Sequence, residues 1–269
     1  FVNYTEKVRG KARGAIKAAQ AQMDAWQAGT EPLPEGKTLE EALEDCRTEI
    51  AKQQPKADFK PIFGCEMYVA PRGMAKKDQQ HIDRGGWHLI VLAKNMKGYR
   101  NLIKLVSNSW VDGFYGRPRT DHADLEKYHE GLIVCSACIA GEVPSLILKG
   151  DIEGARKAIE WHKSVWGDDY YLELQRHEVK DPNQRANRET FPLQQKANKV
   201  LIELAREYGV KLICTNDAHF VHEENAEAHD HLLCISTGKD LDDPSRMLYS
   251  KQEWFKTREE MNEIFSDIP

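Results

Sequence analysis

The sequence predicts an α/β fold, a parallel sheet or barrel, on three observations. From residue 60 onward, short apolar runs alternate with longer amphipathic stretches. The runs, near 61–70, 87–94, 131–136, 169–175 and 210–215, have strand length and are rich in Val, Ile, Leu and aromatic residues. The stretches between and after them, near 98–110, 142–166, 183–208 and 223–236, are long enough for helices that cover a sheet.

In chain order, residues 5–28 read as a helix rich in Ala, Lys, Arg and Gln. Gly29 to Gly36, with Pro32 and Pro34, is a loop by composition. Thr38-Leu39-Glu40-Glu41 fits a capping box, and a helix follows to about Gln53. The two helices form a hairpin expected to pack as a surface appendage, which divides the chain into 1–58 and 59–269. Glu66 falls in the middle of the first strand, where a carboxylate is costly unless it is paired or bound to a cation. His88 stands near the start of the second, and Cys138 lies just past the end of the third. The stretch 142–166 should break around Gly150. A last helix, Thr257 to Phe265, opens on a second capping-box pattern, Thr257 with Glu260.

Composition narrows the class. The chain has 269 residues, 41% hydrophobic and 30% charged, as in an ordinary globular protein with a sizeable core. The net charge of −5 argues against a free-standing nucleic-acid binder, which is usually basic. No apolar stretch is long enough to span a bilayer, so no membrane partner is expected. Cys65, Cys135 and Cys214 sit inside apolar runs, which is cytoplasmic usage rather than a disulfide framework. Cys135 and Cys138 form one Cys-x-x-Cys without the second pair a zinc ribbon needs; a redox motif is the alternative reading.

The most informative stretch is Ile213-Cys214-Thr215-Asn216-Asp217-Ala218-His219-Phe220. If the strand continues through them, Asp217 and His219 project from one side, a way to hold a divalent metal; a turn with a capping Asp and a surface His is the alternative. His177, just past the strand ending at Gln175, reads as a surface histidine or as a donor behind such ligands. Arg117 and Arg119 lie in a loop that could meet phosphate or simply be solvated. His229 and His231 fall in a helical segment, where i and i+2 point about 200° apart and cannot chelate one ion.

Several stretches together carry a resemblance. Gly64-Cys65-Glu66-Met67-Tyr68-Val69-Ala70-Pro71, His88-Leu89-Ile90-Val91-Leu92-Ala93-Lys94-Asn95 and Gly98-Tyr99-Arg100-Asn101-Leu102 are three of them. Ser136-Ala137-Cys138-Ile139-Ala140-Gly141-Glu142-Val143-Pro144 and Thr215 to Phe220 are two more. In this order they resemble PHP (polymerase and histidinol phosphatase) domains of bacterial DNA polymerase III alpha subunits over roughly residues 59–269. Leu241 to Arg246 and Glu259-Glu260-Met261 resemble the polymerase branch rather than the stand-alone phosphatases. The family opens with a His-x-His strand and an Asp-His-Gly-Asn-type motif, and neither is present; Phe1-Val2-Asn3-Tyr4 resembles the helix after the second. The chain therefore reads as an excised piece of a longer polymerase subunit.

The resemblance implies an irregular seven-stranded (β/α) barrel of PHP type, incomplete at its N-terminus, with an inserted helical hairpin. It also implies a multi-metal phosphoesterase or 3′–5′ exonuclease site built on zinc or manganese. Glu66 would bridge two ions, His88 and Cys138 would complete the second, and Asp217 and His219 would serve the first and third. The implied partners are the rest of the alpha chain, other holoenzyme subunits including a proofreading subunit, and DNA through the parent protein, whose magnesium-dependent polymerase site lies outside this chain. A structural or proofreading-subunit docking domain without chemistry, and a histidinol-phosphate-type phosphatase, are the alternatives.

Overall fold

The computed structural model describes residues 2–179 and 189–268. It falls into two compact units, residues 1–62 and 63–269.

In the first unit α1 (Val2–Gln27) and α2 (Leu39–Asp58) pack on each other. Thr38 starts α2 through a reciprocal capping box: its side chain accepts from the Glu41 N–H, and Glu41 Oε2 accepts from the Thr38 N–H at 2.8 Å. The helix expected to stop near Gln53 runs past Pro55 to Asp58. Proline removes one N–H there, but it lies in the last turn, where little helix remains to be broken. Burial of Ala57 fixes that turn.

The second unit is built on five strands in the order β1 (Gly64–Val69), β2 (Trp87–Ala93), β3 (Leu132–Cys135), β4 (Tyr170–Gln175), β5 (Lys211–Thr215). Its helices are α3 (Gln80–Asp83), α4 (Met96–Val111), α5 (His122–Lys127), α6 (Glu142–Lys149), α7 (Ile152–Trp166), α8 (Phe191–Tyr208), α9 (Ala226–Thr237) and α10 (Arg258–Ile264). The break at Gly150 is a left-handed cap, φ 82°, between α6 and α7. The expected start of α8 near 183 lies outside the described residues.

Among the described residues the sheet has five strands and is not closed. The expected parallel arrangement needs correction, because the sheet is mixed: β1–β2 and β2–β3 are antiparallel, and β3–β4 and β4–β5 are parallel. The reason is in the connections. Between β1 and β2 there is only the single-turn α3, not a covering crossover helix. After β2, α4 carries the chain to the far end of the sheet, where Thr120 bridges Val69, and residues 121–131 bring it back. β3 therefore starts beside Ala93, where β2 ended. Apolar periodicity records which face of a strand is buried but not its direction.

Met67, Val69, Leu89, Val91, Val134, Leu172 and Leu174 form the sheet's share of the core, packed with Leu105, Ile147, Ile159 and Leu201 from the helices. Because β2 runs opposite to its neighbours, its first residues lie at the same edge as the last residues of β1 and β3. Tyr68 faces His88 in the register, so Glu66, Tyr68 and His88 share the sheet face opposite Met67, Val69 and Leu89.

Candidate metal centre

Three of the expected ligands meet at this edge. Glu66 Oε1 lies 2.8 Å from His88 Nδ1, and Cys138 Sγ lies 3.5 Å from the same nitrogen. One oxygen, one nitrogen and one sulfur fall within 4.8 Å of one another. Zinc bonds of about 2.0–2.3 Å span such a set after small adjustments, and imidazole, carboxylate and thiolate are ligands a borderline metal accepts. The residues present therefore fit a divalent ion.

Each is held by its surroundings. The His88 N–H donates to the Ala140 carbonyl at 3.1 Å, and its ring stands edge-on to Tyr68 with centroids 4.9 Å apart. Cys138 sits in a tight loop: Ala137 has φ 61°, and the Gly141 N–H donates to the Cys138 carbonyl at 2.8 Å. Only glycine fits at 141, because a Cβ there would lie 2.0 Å from the Ser136 carbonyl oxygen. Hydrogen bonds to Cys138 and Glu66 raise His88 to about 10, and the His88 hydrogen bond holds Glu66 below the usual carboxylate range.

Asp217 and His219 form a second pair, Oδ1 to Nε2 3.5 Å. They do not converge by strand periodicity, because β5 stops at Thr215 and Asp217 takes a left-handed φ of 46°. The turn is pinned instead to residues 252–254. Asn216 Nδ2 donates to the Gln252 and Trp254 carbonyls, both at 2.7 Å, and the His219 N–H donates to the Glu253 carbonyl at 2.7 Å. Burial raises Asp217, and Glu66 adds to the rise. Edge strands of a flat five-stranded sheet would stand about 19 Å apart, four spacings of about 4.8 Å. Glu66 on β1 and the turn after β5 nevertheless act on each other electrostatically.

Three sequence readings change here. His177 is not a surface residue: it is 2% exposed, with Nε2 3.0 Å from the Asn216 carbonyl and Nδ1 3.0 Å from Gln194 Nε2. It supports the Asp217 turn from behind. Arg119 cannot receive phosphate, because it is fully buried and its guanidinium donates to the carbonyls of Gly113, Lys76, Asp83 and Met74. Arg117 is exposed and lies over the Tyr68 ring, 4.4 Å from its centroid. The redox reading of Cys135-x-x-Cys138 gains no support: Cys135 is buried in β3, where burial pushes its thiol up to about 12, and Cys138 Sγ faces His88.

Periodicity missed Tyr249, Glu253 and His229. Tyr249 and His229 lie against His219, with centroids 4.5 and 5.8 Å away. Burial, then Asp217, Glu253, Glu66 and Cys138, push the Tyr249 hydroxyl up to about 12. The His229-x-His231 pair marked His229 in the sequence, whereas Tyr249 and Glu253 carried no such mark. His231 instead bonds the Glu227 carbonyl at 2.8 Å.

The PHP domain matches residues 18–177, more than half of the chain. The chain belongs to the PHP domain family. This PHP domain is similar to the DNA polymerase III subunit alpha of Borreliella burgdorferi, 46% identical over 219 residues, which is 81% of this chain and 18% of that protein. The DNA polymerase III subunit alpha of Treponema pallidum is 38% identical over 213 residues, 78% and 17%. That of Thermus aquaticus is 37% identical over 221 residues, 81% and 17%. The chain thus spans less than a fifth of the length of these curated relatives. No helix among the described residues is long and apolar enough to cross a membrane.

Proposed function

We propose that this chain is the PHP portion of a replicative DNA polymerase alpha subunit, and that it carries part of a multi-metal phosphoesterase site with 3′–5′ exonuclease chemistry. The observation that carries the reading is His88 Nδ1, which faces both Glu66 Oε1 and Cys138 Sγ. Glu66, His88 and Cys138 would hold one divalent ion, zinc or manganese, and Asp217 and His219 would contribute to others. When bound, such ions supply Lewis acidity and a water of lowered pKa. The chain's own side chains orient the site: Tyr68 and the Ala140 carbonyl fix the His88 ring, and His177 and Asn216 brace the Asp217 turn. Arg117, stacked on Tyr68, is the group free to meet a phosphate from the edge of the site.

The partners in this reading are the rest of the alpha chain, other holoenzyme subunits including a proofreading subunit, and DNA through the parent protein, with magnesium at a polymerase site outside this chain. The same reading has the sheet curl and complete a seven-stranded barrel when the longer polypeptide supplies strands to its free edges. It also takes 1–58 as a helix with an inserted helical hairpin and 59–269 as the remainder of the barrel.

The test is digestion of single-stranded DNA with added zinc or manganese, with a small phosphomonoester in parallel. This chain is compared with a longer version that includes a His-x-His strand and an Asp-His motif upstream. We expect the longer protein to cleave DNA, the Glu66→Gln variant of it to be inactive, and this chain to show little or no cleavage. Equal cleavage by both proteins would overturn the assignment of ligands to the upstream motifs. Turnover of the phosphomonoester alone would point to a phosphatase.

A further inference from the structure

A second group of ligating side chains lies on the other face of β2. His122 opens α5, Glu142 opens α6, and His162 stands in the last part of α7. The Nε2 atoms of both imidazoles point at one oxygen, Glu142 Oε2, at 2.9 Å from His122 and 3.2 Å from His162. All three ligand atoms fall within 4.8 Å of one another. The group is separate from Glu66, His88 and Cys138. It lies beyond Trp87, whose ring stacks on His122 at 6.4 Å and whose side chain leaves β2 on the face opposite His88.

Glu142 is buried, and among the described residues its ion pairs are with His122 and His162 alone. Neither partner is a permanent cation, and a buried carboxylate is costly without one. Two imidazole nitrogens and one carboxylate oxygen that converge in this way form a donor set for a dication of the zinc class.

The geometry is prepared for it. The His162 ring lies parallel to Tyr170, 4° between planes and 4.7 Å between centroids, and the His122 ring stacks on Trp161 at 3.9 Å. Both imidazoles are thus fixed in plane before any ion arrives. Ligands about 2.1 Å from a tetrahedral ion stand about 3.4 Å apart. The two histidine–glutamate distances need to open by only a few tenths of an ångström. His122 is partly exposed, which leaves a path for entry and a fourth position for water.

We propose that His122, Glu142 and His162 form a second, independent site for a transition-metal dication of the zinc class, which ties α5, α6 and α7 together. It does not depend on the exonuclease reading.

The test uses the full chain with cobalt(II) as the probe, in a Cys138→Ser, His88→Gln background that disables the first site. We expect this variant to keep one tightly bound cobalt, with visible d–d bands but without the near-ultraviolet thiolate-to-cobalt charge transfer of the unaltered chain. Adding His122→Asn should abolish that binding and the rise in melting temperature it brings. His122 lies at the rim, so this change spares the core; Glu142→Gln, in the core, should act alike. Absence of cobalt from a background variant that keeps the unaltered chain's circular dichroism and metal-free melting temperature would overturn the proposal. So would residual cobalt that survives His122→Asn. Should the background variant fail to fold, X-ray absorption of the zinc-loaded Cys138→Ser chain replaces it. Two imidazoles on zinc, lost on adding His122→Asn, support the site, and zinc unaffected by that change refutes it.

Discussion

His88 shows how one side chain joins local geometry to chemistry. It ordinarily titrates near 6.5, and Cys138 and Glu66 raise it to about 10. The sign follows from linkage. A folded-state pKa above the unfolded value adds stability that is fully present below 6.5 and is lost as pH climbs through 10. Between these values the melting temperature of the metal-free chain should fall more steeply for the unaltered protein than for His88→Gln; equal slopes would remove His88 from the account. A metal must also displace the His88 proton, so zinc uptake at neutral pH should release protons. Calorimetry in buffers of different ionisation enthalpy measures that release, and zinc binding without it would mean that the ion avoids His88. Glu66, His88, Cys138, Asp217 and His219 were legible in sequence because each stands in or beside a strand-like run. Tyr249 and Glu253 were not, because they come from an irregular segment with no periodicity to mark a buried face.

At the scale of elements, two features can be tested by single changes. Thr38 closes a complete capping box, and Thr38→Ala should cost the first unit about 1 kcal/mol. A denaturant melt followed by helical signal checks this, and an unchanged midpoint would show that the cap is idle. Gly98 in α4 lies against the turn before β3, where a Cβ would stand 1.7 Å from the Gly131 carbonyl oxygen. Since backbone cannot yield as a side chain can, Gly98→Ala should destabilise the second unit by about 1–3 kcal/mol or more. A Gly98→Ala chain as stable as the unaltered one would mean that α4 is free to shift. Asn101 fixes the same junction, donating to the Glu130 carbonyl at 2.8 Å. The sequence resemblance included Gly98 and Asn101, but their role appears only when α4 is placed against residue 131.

For the whole molecule, the division at residue 62 makes a prediction about independence. Replacing residues 12–55 by a short linker should leave most of the thermal stability and the metal uptake intact; collapse of the fold would make the hairpin part of the core. The sequence by itself determined the α/β class, the places of all five strands, the capped helix starts and five candidate ligands. Each of these follows from local chemistry: apolar runs of strand length, side chains that satisfy free N–H groups, and residues able to ligate in or beside buried runs. Tertiary structure alone decided that β2 runs against its neighbours and that His177 and Arg119 are buried. It also decided that Asp217 sits in a left-handed turn pinned to residues 252–254. Direction, burial and register between distant segments depend on which surfaces meet, and periodicity within a segment carries no record of its partner.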